Sequence, residues 1–153
     1  MTKVHVYKDE SGRLRGVSAE DERNQRRWRK HIDSLAPGEH TEYDFTIPRD
    51  PKQSAKFMAV VRRLLERTEA YDDFDALRSW IVVGAGYIVQ NEAKEWVAKS
   101  LAWDTMDGAE FSELFTRAET FLYSDRARQT LWRHMNAHQH AEAVKQLLES
   151  RDA

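Results

Sequence analysis

The chain has 153 residues, 41% of them hydrophobic and 33% charged, with no cysteine and a formal net charge of −2. That balance is too apolar for a disordered chain and too polar for a membrane protein, and the length suits a single domain with a substantial core. The absence of thiols excludes disulfides, thiolate metal sites and cysteine nucleophiles together, and is compatible with a reducing cytoplasm.

Val4-His5-Val6-Tyr7, Ser11-Gly12 and Leu14-Arg15-Gly16-Val17 read in order as a short strand, a turn and a second short strand. The first residues, MTKVHVYKDE, contain no continuous apolar stretch, so no secretory signal is expected. Ser18 stands before Ala19-Glu20-Asp21-Glu22, which marks a helix start. Its hydroxyl can accept a backbone N–H there, and the acids suit the positive end of the helix dipole. This helix is expected to reach about Ser34 or Leu35, ahead of Pro37-Gly38.

From Thr41 to Ile47 polar and apolar residues alternate strictly. Tyr43, Phe45 and Ile47 would share one face, which predicts a half-buried strand ended by Pro48 and Pro51. A second helix is expected from about Lys52 to Thr68, with Phe57, Val60, Val61, Leu64 and Leu65 at helical spacing. Asp72 or Asp73 would cap a third, running through Phe74, Leu77, Trp80 and Ile81.

Gly84-Ala85-Gly86 reads as a helix stop and a strand entry, since it matches neither a dinucleotide nor a P-loop motif. Tyr87-Ile88-Val89 and Trp96-Val97-Ala98 then flank Asn91-Glu92 as a hairpin. Asp104 or Asp107 would start a fourth helix with Phe111, Leu114, Phe115, Ala118, Phe121 and Leu122 on one stripe. Ser124 or Asp125 would cap a last helix to about Glu149, within a C-terminal segment spanning residues 125–153. The expected fold is therefore α+β: short antiparallel strands packed with about five helices, in one domain over residues 1–153. No apolar run approaches the roughly 20 residues of a spanning helix, so no membrane association is expected.

Charge is distributed unevenly. Residues 1–67 carry 15 Lys+Arg against 11 Asp+Glu, a net +4, and residues 68–153 carry 9 against 15, a net −6. Such a split suggests a basic face toward a polyanion and an acidic face elsewhere.

Arg23, Arg26, Arg27, Arg29 and Lys30 lie within eight residues of the first helix. Positions 23, 26, 27 and 30 share one face, and cations in a row beside an aromatic ring suit the phosphates and bases of single-stranded nucleic acid. Trp28 could be that ring, but it also shares i, i+4, i+7 spacing with Ile32 and Leu35, which points it into the core. A second group, Arg49, Lys52 and Lys56, surrounds the start of the second helix, where phosphate oxygens are welcome. Arg62, Arg63 and Arg67 continue it but suit a solvated flank equally well.

His134 and His138 fall one turn apart on the last predicted helix, with His140 beside them. That spacing can hold a transition metal, yet a catalytic zinc site needs a third ligand and a general base, and no HExxH is present. Surface histidines are the expectation, and no metal or cofactor is assigned. The acids at Glu69, Asp72, Asp73 and Asp75 suit capping, no GxSxG occurs, and no enzymatic activity is expected.

Leu35-Ala36-Pro37-Gly38-Glu39, the alternating segment, Pro48-Arg49 and an aliphatic helix follow one another in an order that resembles a phage protein family of unknown function. Ala85-Gly86-Tyr87, then Ala98-Lys99-Ser100-Leu101-Ala102-Trp103-Asp104-Thr105-Met106-Asp107, then Glu110-Phe111 and Leu114-Phe115-x-Arg117 resemble that family's most recognisable stretch. The likeness covers residues 30 to 124; the N-terminal strands are loosely similar and the last helix is not characteristic. The family is in turn similar to the lambda Orf (NinB) recombination-mediator proteins. Arg49-x-x-x-Gln53-x-x-Lys56-x-x-Ala59 and Met106-x-x-x-Glu110-Phe111-x-Glu113-Leu114 carry that similarity.

The resemblance implies a cytoplasmic homodimer in a bacterial host cell that binds single-stranded DNA and cooperates with the host single-strand-binding protein or a recombinase. Arg23, Arg26, Arg27, Lys30, Arg49, Lys52 and Lys56 would then neutralise phosphates. The alternative is a phage accessory factor that modulates a host protein through its acidic helical half.

Overall fold

The computed structural model describes residues 3–150. In chain order these form β1 (Val6–Lys8), β2 (Leu14–Gly16), α1 (Ala19–Ser34), α2 (Pro51–Arg67), α3 (Phe74–Gly84), β3 (Ile88–Gln90), β4 (Trp96–Ala98), α4 (Gly108–Leu122), α5 (Asp125–Leu131) and α6 (Ala137–Glu149). Helices mixed with two antiparallel two-stranded sheets make this an α+β fold. The chain divides into two units, residues 1–45 and 46–153.

The first unit is a hairpin followed by a helix. β1 pairs with β2 in the register Val6 with Gly16 and Lys8 with Leu14. Gly12 closes the turn at φ +78°, a backbone conformation open to glycine and strained for other residues. Ser18 caps α1 in a reciprocal box: its side chain accepts from the Asp21 N–H, while the Asp21 carboxylate accepts from the Ser18 N–H. The same carboxylate accepts from the His5 N–H at 2.9 Å, and the Gln25 amide donates to the Leu14 carbonyl at 3.0 Å. Polar bonds thus hold helix to hairpin, and Asp21 and Gln25 are the buried residues of α1.

The second unit contains the hydrophobic core. α2 contributes Phe57, Val60, Val61 and Leu64; α3 contributes Leu77, Ile81 and Val82; α4 contributes Phe111, Leu114, Phe115, Ala118, Phe121 and Leu122. Ala127, Leu131, Val144 and Leu147 complete it from α5 and α6. Phe57 meets the rings of both Phe111 and Phe115 edge-on, with centroids 5.7 and 5.5 Å apart. Such aromatic pairs add stabilisation beyond the area they bury. β3 pairs with β4 as expected, Ile88 opposite Ala98 and Gln90 opposite Trp96.

Three expectations need correction. Residues 41–47 form no strand: the segment has no partner ladder among the described residues, and Tyr43, Phe45 and Ile47 are exposed rather than half-buried. The expected C-terminal helix is two helices, α5 and α6, which brings the described residues to six helices. α5 ends as Trp132 leaves helical geometry at φ −145°, and Asn136 starts α6 with its own capping box to Gln139. Positions 151–153 of that segment lie outside the described residues. Finally, Trp28 is exposed, not core, and no apolar side chain between residues 3 and 45 is buried.

Candidate nucleic-acid interface

The capping box and the Asp21 and Gln25 bonds fix which way α1 faces. With the 21/25 side turned to the hairpin, Arg23, Arg26, Arg27 and Lys30 fall on the opposite side, and all four are exposed. None of them forms an ion pair among the described residues; in this unit Arg15 makes the ion pair, with Glu22 at 3.4 Å. The row of cations is therefore available to an outside anion. Asp21, the buried acid of the helix, is held below the ordinary carboxylate range by the His5 N–H and the Ser18 hydroxyl.

Trp28 lies on the 21/25 side of the helix, beyond the hairpin, and meets Tyr43 edge-on with ring centroids 6.0 Å apart. Tyr43 in turn neighbours Phe45 at 6.1 Å, the rings tilted by 38°. His31 Nε2 and the Thr41 hydroxyl, 3.0 Å apart, tie the following segment to the helix. Helical and strand periodicity turn these three rings inward; the fold leaves them in solvent.

The second basic group, in the other unit, separates into two kinds of residue. Arg49 is buried, contrary to its expected role as a phosphate contact. Its guanidinium donates to the Leu101 carbonyl and, at 3.0 Å, to the Ser54 hydroxyl. It also sits over the rings of Trp103 and Phe111, 4.6 and 4.1 Å from their centroids. A side chain so engaged holds the 101–103 segment against α2 and α4.

Lys52 and Lys56 are exposed, and both line an open cleft of ≈ 480 Å³ between the N-terminal turns of α2 and α4. Gln53 and Ser112 also line it, joined by a 2.9 Å hydrogen bond. Gly108 is required there. Its N–H donates to the Ile47 carbonyl at 2.6 Å, and a Cβ would overlap the Pro48 carbonyl. Asp50 also lines the cleft, but its carboxylate is occupied in capping α2 at the Lys52 N–H, 2.9 Å away. The two exposed lysines are what suit the cleft to a phosphate group, because the Gln53 amide and the Ser112 hydroxyl are bonded to each other.

The other candidates are dispersed. Arg62 lies over Phe74, 5.8 Å from its centroid, and Arg63 donates to the Leu147 carbonyl at 2.8 Å. Asp73 caps α3 and Asp75 pairs with Arg78 at 3.2 Å, so much of the acidic group is taken up locally. The break between α5 and α6 leaves His134 in a turn, so it and His138 no longer share a helix. His140 is buried beside Trp132, ring centroids 5.8 Å apart. No group of three His, Asp or Glu side chains capable of holding a metal occurs among the described residues. No helix among them is long and apolar enough to cross a membrane.

No family model, no curated protein and no solved structure matches the chain. The expected resemblance to the recombination-mediator proteins is carried by its residue blocks alone, and the fold places their members. Arg49, Met106, Phe111 and Leu114 of these blocks are buried, Glu110 pairs with Lys99, and Gln53 and Lys56 are the ones that line the cleft.

Proposed function

We propose that this protein binds single-stranded DNA without transforming it, as a homodimeric accessory factor of phage recombination in the bacterial cytoplasm. The observation that carries the reading is the row Arg23, Arg26, Arg27 and Lys30 on α1, exposed and without an ion pair among the described residues. Four such cations release counterions when they meet a phosphate backbone, which favours binding at low salt. Lys52 and Lys56 add a second contact in the cleft of the other unit; Arg49 does not belong to the set, because its guanidinium is committed internally. The resemblance to the mediator proteins supports the choice of single-stranded over duplex DNA, and implies the host single-strand-binding protein or a recombinase as partner.

The test is a fluorescence-anisotropy titration of labelled single-stranded and duplex oligonucleotides across a range of salt. Tighter binding to the single strand, falling steeply with salt, is expected. Replacing all four α1 cations by glutamine should flatten the log–log salt slope by about 0.7 for each phosphate no longer neutralised. Binding that ignores salt, or no binding at low salt, would overturn the reading. A host-protein partner on the acidic helical half would then take its place, tested by charge reversal at Asp72, Asp73 and Asp75.

A further inference from the structure

Exposed aromatic rings are costly to leave in water, and the first unit leaves three of them together. Trp28 is 41% exposed, Tyr43 59% and Phe45 71%, in a unit with no buried apolar side chain between residues 3 and 45. The rings are ordered relative to one another. Trp28 touches Tyr43 edge-to-face at 76°, and Tyr43 and Phe45, two positions apart in sequence, are inclined by only 38°. An edge contact steadies a ring while leaving π-surface open, and two rings of similar inclination present neighbouring faces to one ligand.

The charge around the rings narrows what the ligand can be. Arg27 and Arg29 stand about 100° to either side of Trp28 around α1, from the 3.6-residue helical repeat. Both are exposed and form no ion pair among the described residues. Glu42 and Asp44, also exposed, alternate with the rings of the 42–45 segment, so the cations stand on the α1 side, next to Trp28. Flat apolar faces with unpaired cations on that side complement a polyanion carrying flat apolar groups, which describes unpaired bases on a phosphate chain. The aliphatic face of a protein partner would have no use for the flanking arginines.

We propose that Tyr43 and Phe45, braced by Trp28, form a base-stacking platform for single-stranded DNA, with Arg27 and Arg29 contacting the adjoining phosphates. This rests on the single-strand reading and adds to it that bases, and not the backbone alone, are held. Stacking tolerates any base, so affinity should depend little on sequence.

The test keeps the two readings apart. The full chain is titrated by anisotropy with a labelled oligothymidylate and with an abasic strand of equal length at one low salt concentration. The thymidylate strand should bind at least about fivefold tighter, since one stacked base contributes roughly 1 kcal/mol or more. A Y43L/F45L variant should lose that preference while keeping the affinity of the wild type for the abasic strand, which also reports that it is folded. Y43F should keep the preference, because the ring and not the hydroxyl stacks. Equal binding of the two strands by the wild type would overturn the platform and leave the phosphate contacts standing. Binding of neither strand would overturn both. A preference that survives in Y43L/F45L would assign stacking to other rings and overturn this site.

Discussion

The indole Nε1 of Trp132 donates to the carbonyl of Arg67 at 3.2 Å. One residue along on each side, the Thr68 hydroxyl donates to the carbonyl of Leu131 at 3.1 Å. Arg67 and Leu131 are the last residues of α2 and α5, whose terminal carbonyls lack intrahelical partners. Each helix end therefore caps the other, and Trp132 and Thr68 are both buried where they do it.

Removing either donor should destabilise the second unit. Trp132→Phe keeps an aromatic ring but strands the Arg67 carbonyl, and should cost about 1–3 kcal/mol in urea unfolding. Thr68→Val keeps the shape and should cost a similar amount. The two donors serve one helix–helix junction, so the double variant should fall short of the sum of the singles. Additive losses would show that the two bonds act independently.

Arg49→Met tests the internal role assigned to that guanidinium. The variant leaves the Leu101 carbonyl and the Ser54 hydroxyl without their donor and removes the cation from between Trp103 and Phe111. A loss of about 1–3 kcal/mol is expected from the unsatisfied partners. Lysine should not rescue it, because a point ammonium cannot serve both acceptors in a fixed fork while lying over two rings. The salt slope of DNA binding should stay at the wild-type value. A flatter slope in a folded Arg49→Met protein would restore Arg49 as a phosphate contact.

The local features were readable in the sequence. Ser18, Asp73 and Asp107 each cap the helix expected of them, and Ser124 caps a helix that starts where one was expected but ends at Leu131, because a cap needs only its own turn. The apolar stripe of α4 was legible for the same reason. What failed depended on distant partners. Alternation from Thr41 to Ile47 satisfies the pattern of a strand, but a strand exists only when another strand completes its ladder, and among the described residues none does. Arg49 resembles any basic residue beside a helix start until Trp103 and Phe111 close over it. The break after Leu131 contains neither glycine nor proline. Its one sequence signal was the Asn136-x-x-Gln139 capping box, which marks a fresh helix start.

Stability should depend on pH through His140. Burial is the main cause holding its imidazole below the ordinary histidine value, and its Nε2 has no hydrogen-bond partner among the described residues. Nearby Arg128 also disfavours the proton, while a backbone bond at Leu122 and the Asp125 carboxylate partly offset this. The folded protein therefore keeps His140 neutral where the unfolded chain, with a value of about 6.5, takes up a proton. That contribution to stability is present above about pH 6.5 and is lost as pH falls toward the folded value. Urea midpoints should drop as pH falls below about 6.5, and His140→Leu should reduce the drop. The lowered carboxylates Asp9 and Asp21 act in the same direction only at more acidic pH, near and below the ordinary value of 3.8. An unchanged slope in His140→Leu would assign the pH dependence elsewhere.

Gly108→Ala joins stability to the proposed binding cleft. The added methyl would collide with backbone at Pro48, which cannot swing aside as a flexible side chain could. Either α4 or the Ile47–Pro48 segment must move, weakening the Gly108 N–H bond to the Ile47 carbonyl. Overpacking of this kind costs about 1–3 kcal/mol. Ile47, Pro48, Lys52 and Lys56 line one cleft, so the same displacement should weaken binding to single-stranded DNA in protein that is still folded. Ser112→Ala is the matched control. It removes an exposed hydroxyl bonded to Gln53 without adding volume, and should change stability by no more than about 0.5 kcal/mol. If Gly108→Ala lowers the urea midpoint and leaves DNA affinity untouched, Lys52 and Lys56 do not contact DNA through this cleft. If it lowers both while Ser112→Ala lowers neither, the backbone geometry at Pro48 is what sets the lysines for phosphate.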